Sequence, residues 1–294
     1  MTSDPRLRAA RHCHNVLNPF HSTHYFSPDL GKELAAIGVT DPSAAYLAAR
    51  SAPMGAVCAG TVTATFYNFN HKLVARHVPA VWETASPQAV LAARARAVDA
   101  TLRRLLGEEA LASPEMAEAA ELALRATEAC TRHARPLYAA HADVDVPEAP
   151  HMAYWHATTL LREHRGDGHI AVLIGAELDP VEALVSHVAT GKGMAPKWLL
   201  ATRGWDRSEY DAAAERLRAR GLLTADEELT QLTLTEQGVA LRAEIEHRTD
   251  ALDRAPYEHL GEAGVARLTE LATKFVGAAL GNGAFPADLI GKAA

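Results

Sequence analysis

Three things are scarce in this chain, and each scarcity removes a class of protein. Cysteine is rare: Cys13, Cys58 and Cys130 are all there are, too few and too scattered for a disulfide framework or a thiolate metal site. No apolar run approaches the ~20 residues that span a bilayer and no leader opens the sequence, so the expectation is a soluble, cytoplasmic protein with no membrane contact. Bases are outnumbered, 29 Lys and Arg against 36 Asp and Glu, a formal charge of −7. That balance gives no general attraction to nucleic acid or anionic lipid. Signatures of common chemistries are missing as well. HExxH and GxSxG are absent, and Gly191-Lys192-Gly193 lacks the preceding glycine of a P-loop.

What is present is material for a large helical core. The 294 residues are 48% hydrophobic, and at roughly 150 residues per domain the length suits two units. Alanine, leucine, arginine and glutamate dominate, all strong helix formers, and apolar residues recur at three and four. Residues 87–106 put Val90, Ala93, Ala97, Leu102 and Leu105 near one stripe, with Ser86-Pro87 as cap and first helical residue. Further helices are expected near 43–50, 114–133, 152–163, 180–188, 208–220, 236–250 and 262–279. Short strands are expected only within 222–234. Residues 142–150 (ADVDVPEAP) are rich in acids and proline and read as a linker.

The two sides of that linker share anchors in the same order. Asp41-Pro42 is answered by Asp179-Pro180. Lys72-Leu73, Trp82 and Ser86 are answered by Lys197-Trp198, Trp205 and Ser208, and LRRLLG at 102–107 by LRARGLL at 217–223. A stretch ending RPLY at Tyr138 is answered by one ending RAPY at Tyr257. The reading is a duplication, with an N-terminal degenerate half over 1–145 and a C-terminal half over 146–294. The predicted fold class is mainly α with short β wings, two tandem winged-helix-like halves forming an internal pseudo-dimer.

The unit in the second half resembles the winged helix of the MarR regulators. Residues 199–223 supply a helix-turn-helix with Gly204 at its turn, RGLL leads into a wing, and LTEQG at 234–238 returns into a long helix. The whole chain is also similar to a helix-turn-helix family of high-GC bacteria that carries blocks like ATFYNF (64–69) and WHATTLLREHRGDGH (155–169). The resemblance implies a shape and, for MarR relatives, a ligand-responsive DNA-binding regulator that dimerises. Local charge argues against DNA. A recognition helix must offer donors and positive charge to phosphates and base edges. Here it begins Asp206, Arg207, Ser208, Glu209, Tyr210, Asp211, and the wing reads Thr224-Ala225-Asp226-Glu227-Glu228.

If the scaffold has given up DNA, a pocket between the halves is the place for function. The chain holds 15 histidines, concentrated at 21–24 and 151–169. On a helix, Trp155, His156, Thr159 and Glu163 share one face. Gly166 and Gly168 are expected to end that helix, putting Asp167 and His169 on a turn. The functional reading is proton exchange by His156 or His164, oriented by Glu163 or Asp167. The plainer reading is a helix end knotted by ion pairs among Arg162, Glu163, Arg165 and Asp167. In the first half, His21 and His24 with Tyr25 precede Ser27-Pro28. Over 58–70, Thr61, Thr65 and Asn68 are expected on one helix face with Tyr67 nearby, as a ligand-bonding wall or as threonines bonding their own carbonyls. Duplication would bring His24 opposite His164 as an acid/base pair, or as haem or metal ligands, although no cofactor is predicted. The functional expectation is a small-molecule-binding protein, monomer or homodimer, in one form a cofactor-independent enzyme using histidine acid/base chemistry. The alternative is the MarR-like regulator.

Overall fold

The computed structural model describes residues 4–226 and 231–289. The first half runs α1 (Pro5–Ser22), α2 (Pro28–Ala35), α3 (Pro42–Ser51), α4 (Ala59–Phe66), α5 (His71–His77), α6 (Val81–Thr84), α7 (Pro87–Leu111), α8 (Pro114–Thr127) and α9 (Pro136–His141). The second runs α10 (Pro150–Gly175), α11 (Pro180–Val188), α12 (Pro196–Arg203), α13 (Arg207–Ala219), β1 (Leu223–Ala225), β2 (Leu232–Leu234), α14 (Glu236–Leu252) and α15 (Arg254–Gly281). The strands form one antiparallel hairpin, with Leu223 opposite Leu234. Among the described residues no helix is long and apolar enough to cross a membrane. The acidic residues Glu227 and Glu228 of the wing lie outside the described residues.

One local rule starts many of these helices. At Asp4-Pro5, Ser27-Pro28, Asp41-Pro42, Ser86-Pro87, Ser113-Pro114 and Asp179-Pro180 the capping side chain accepts a backbone N–H of the first turn. Proline follows where a helix has no use for its missing N–H.

The helices bury their apolar faces in three main cores. A central one joins α1, the later part of α7, α8, α10 and α15, with Phe20, Tyr154 and Phe275 in ring contact at its middle. A first lobe packs α2–α6 against the start of α7. A second lobe packs the end of α10 with α11, α13, the hairpin and α14. The central core thus draws on both sides of residues 145/146. Within it α1 lies along α15 and α10 along α8.

The long helix α10 departs from the expected boundary. It does not stop at Gly166 and Gly168 but continues to Gly175, and 18 of its 26 residues are buried. Gly168 serves close approach instead of termination: a Cβ there would stand 2.6 Å from Arg135 Nη1. That guanidinium donates to the carbonyls of His164 and Leu252. Asp167 and His169 are therefore helical. The opposite correction applies at α4, which ends at Phe66 because Tyr67 takes φ 55°. Asn68 and Phe69 lie in the loop beyond it, not on one helix face with Thr61.

Candidate functional site

Between the two lobes, along α10, lies an open cleft of about 1030 Å³. Its floor is α10 from Arg162 to Leu173, about 16 Å of helix at 1.5 Å per residue. The first lobe contributes Tyr46 and Arg50 from α3, Phe66 from α4, and Asn68 and Phe69 from the loop that follows. Arg11 and His14 of α1 line it too, and the second lobe adds His187, Arg203, Leu234, Arg242 and Glu246. Among the described lining residues seven are Arg or Lys and three are Asp or Glu. The cleft is positive inside a chain that is negative overall.

At its first-lobe end, guanidinium and aromatic planes are stacked. The Arg50 guanidinium carbon lies 4.2 Å from the centre of Phe66, and that of Arg203 lies 4.4 Å from the centre of Phe69. Tyr46 stacks on Phe69 at 5.6 Å and 25°. Buried Glu163 accepts from Arg50 at 3.3 Å and also from Arg162. Burial alone would raise Glu163, but Arg162 and Arg50 outweigh it and hold the carboxyl down to about 2. Tyr46 shows the same contest: burial raises its phenol, while Arg50, Arg203 and Arg162 together bring it below its ordinary value. A phenol lowered despite burial marks a site of strongly positive potential.

At the second-lobe end, the arginines are tied to acids. Arg165 meets Asp250 at 2.9 Å and Glu246 at 3.3 Å, and Arg11 also pairs with Asp250. Arg242 reaches Glu246 at 3.5 Å and donates to His187 Nδ1 at 3.3 Å. His169 donates through Nδ1 to Thr249 Oγ1 at 2.9 Å, the threonine hydroxyl being committed to the Ile245 carbonyl. His14 is 9% exposed, and its Nδ1 has no partner.

Of the residues singled out from sequence, Asn68, Glu163, Asp167 and His169 line this cleft. Asp167 also caps α9, accepting from the N–H groups of Leu137 and Tyr138 at 3.0 and 2.9 Å. Five others gather beneath the cleft around Arg94. Its guanidinium faces the Trp155 ring at 5.4 Å and donates to the Ala49 carbonyl at 2.8 Å and to His141 Nε2 at 3.3 Å. His24 donates to the His21 carbonyl at 2.8 Å and meets Trp155 edge-on. Thr159 accepts from His21 at 2.7 Å, and Tyr25 packs between His24 and Tyr46. Burial, with Arg94 adding to it, pushes His24 to about 3 and His156 to about 4. These imidazoles are neutral.

The expected pairing of His24 with His164 does not form. Trp155, which His24 touches, is nine residues from His164 on α10, about 13 Å along the axis, and His164 is engaged by Asp253 at 2.7 Å. No group of three His, Cys, Asp or Glu suited to a metal occurs among the described residues. Thr61 is exposed beside Cys58, Thr65 donates to the Thr61 carbonyl at 2.8 Å, and Tyr67 donates to the Leu178 carbonyl across the lobes. None of the three lines the cleft. The cleft residues that sequence reading missed are Arg11, His14, Tyr46, Arg50, Arg203, Arg242 and Glu246. They come from four helices and share no local motif.

The helix-turn-helix itself is α12, a turn at Gly204 (φ +75°), and α13. Its turn touches the first lobe on one side, while Gly204 and residues 206–208 stay exposed. The Asn70 N–H donates to the Arg203 carbonyl at 2.9 Å, and Trp205 Nε1 donates to the Asn68 carbonyl at 2.9 Å. Asp206 and Glu209 form a reciprocal capping box at the start of α13. The arginines on and just after α13 are paired with acids: Arg207 with Asp211, Arg216 with Asp179 and Glu182, Arg218 with Glu215, and Arg220 with Glu182.

The architecture is that of a helical protein carrying a helix-turn-helix backed by a two-stranded hairpin. Residues 10–286 match a family described as a helix-turn-helix family, and the chain belongs to that family. No curated protein and no solved structure matches it.

Proposed function

We propose that this chain is a small-molecule-binding protein whose ligand occupies the cleft between the lobes, on a helix-turn-helix scaffold that no longer reads DNA. The observation that carries the reading is the cleft's charge, seven bases to three acids in a chain of net −7, with aromatic planes at one end. A cavity of that volume with a few convergent polar groups is the usual form of a metabolite site, and its sign selects an acidic ligand. Val239 fits the same reading, since it is an apolar side chain 55% exposed in the cleft wall.

We further propose that the two halves form an internal pseudo-dimer of MarR-like winged helices. The first helix of the first half, α1, lies along α15 of the second, and the first helix of the second half, α10, lies along α8 of the first. That reciprocity is what two MarR-like winged-helix halves joined as an internal pseudo-dimer would have. His24 and His156 are buried and neutral, which favours binding over histidine acid/base catalysis at either. His164 is held by Asp253, away from the cleft.

A second reading, a ligand-responsive DNA-binding regulator, has family membership in its favour. Against it stand the acids at the start of α13 and the ion-paired arginines along it, because duplex affinity rests mainly on free cations meeting phosphates. The test is thermal melting of the full chain with a panel of acidic metabolites, run beside a low-salt gel shift on its own upstream DNA. The reading requires at least one stabilising ligand whose effect is lost in Val239→Trp. Salt-sensitive retardation of DNA with no stabilising ligand would establish the regulator instead.

A further inference from the structure

The charges at the first-lobe end of the cleft do not balance. Three guanidinium groups, Arg50, Arg162 and Arg203, have one carboxylate, Glu163, within ion-pair reach among the described residues. Glu163 is shared by Arg50 and Arg162, while Arg203 has no carboxylate within ion-pair reach among the described residues and donates to the Thr202 hydroxyl at 3.0 Å. Within ion-pair reach two positive charges are left over, since the other carboxylate lining this stretch, Asp167, is bonded to the Leu137 and Tyr138 N–H groups. Burial lowers Arg203, with Arg50 and Arg162 adding to the effect. Cations withdrawn from water cost free energy unless a counter-charge meets them.

The donors are also presented, not merely present. Stacking on Phe66 and Phe69 fixes the planes of Arg50 and Arg203, which leaves guanidinium edges for forked bonding to an oxyanion. Arg50 is only 9% exposed, and its Nε–H has no partner. Tyr46, on the same wall, can add a hydroxyl donor. Asn68 Oδ1, also without a partner, accepts from a hydroxyl or amine elsewhere on a ligand.

We infer that this end of the cleft is a subsite for a doubly negative tetrahedral oxyanion, the phosphate of a phosphomonoester, gripped by Arg50, Arg203 and Tyr46 with Arg162 behind them. The inference rests on the reading of the cleft as a metabolite site and narrows its ligand. A monocarboxylate neutralises one of the two surplus charges, whereas a phosphate dianion neutralises both. The remainder of the ester would extend along α10 towards His14 and Arg242, whose Nδ1 and Nε atoms are likewise buried and unpartnered.

The test is calorimetric titration of the full chain with phenyl phosphate, inorganic phosphate and benzoate, repeated on Arg203→Gln and Arg203→Lys after melting curves confirm that both variants fold. Phenyl phosphate is expected to bind at least tenfold more tightly than benzoate. Arg203→Gln should lose at least tenfold of that affinity, and Arg203→Lys should fall between, because it keeps the charge and loses the fork. Inorganic phosphate binding as tightly as the ester would keep the dianion subsite and assign it to free phosphate. Benzoate equal to phenyl phosphate, either phosphate binding unchanged in Arg203→Gln, or neither phosphate binding would overturn the inference. The two proposals fail separately: panel ligands blocked by Val239→Trp but indifferent to Arg203 would leave the metabolite site standing without its phosphate subsite.

Discussion

Gly204, at the turn of the helix-turn-helix, lies against Leu73 of the first lobe so closely that a Cβ built on it would stand 2.6 Å from the leucine Cβ. The contact ties the two lobes together beside the cleft, while the outer side of the turn stays exposed. Glycine is required twice over at this position, for its φ of +75° and for the space it leaves.

Those two requirements separate by comparison. Gly283 has a similar φ of +77°, and a Cβ there would meet nothing within 4 Å, so Gly283→Ala should cost only the left-handed backbone, about 1–2 kcal/mol. Gly204→Ala should cost about 1–3 kcal/mol more, the overpacking against Leu73. Urea unfolding of both variants measures the difference. Equal costs would mean that the lobes part without penalty.

A second pair of glycines tests the course of α10. At Gly166 a Cβ meets only Glu163 Oε2, at 3.7 Å, whereas at Gly168 it meets Arg135 at 2.6 Å. Gly166→Ala should be neutral or stabilising by up to about 1 kcal/mol through helix propensity. Gly168→Ala should destabilise by about 1–3 kcal/mol, because Arg135 must leave the His164 and Leu252 carbonyls. A helix broken at this point would show no such contrast, and thermal melts distinguish the outcomes.

The buried histidines make stability depend on pH. Burial first, then nearby positive charge, holds His24 and His141 at about 3 and His156 at about 4. In the unfolded chain each titrates near 6.5. Between pH 6.5 and 4 the unfolded chain therefore binds protons that the folded chain refuses, and stability falls as pH drops through that window. Asp167, raised by burial to about 6, works in the other direction and offsets about one histidine. The urea midpoint should fall steeply from pH 7 to 5, and His156→Gln should flatten the slope by about one proton, ~1.4 kcal/mol per pH unit. A flat profile would contradict neutral, buried imidazoles.

Much of the helical order was readable because its causes are local. The Asp-Pro and Ser-Pro pairs announce helix starts, α11 spans the expected 180–188, and the hairpin lies within 222–234. Two closely spaced glycines usually break a helix, but α10 is buried through this stretch and Gly168 packs against Arg135, 33 positions away in sequence. The cleft was hidden for a similar reason. Arg11, Arg50, Arg162, Arg203 and Arg242 each sit on a different helix, and only packing of the lobes turns scattered arginines into one positive wall. The histidine cluster was visible in composition, but its meaning depended on burial that His24, Trp155 and Arg94 acquire together.

Native mass spectrometry of the full chain, incubated with the acidic-metabolite panel, reports directly whether the cleft holds a ligand. One small molecule should be bound per chain, released on denaturation and absent from Val239→Trp. A wild-type chain that stays bare across the panel while retarding its upstream DNA at low salt would contradict a ligand-binding cleft.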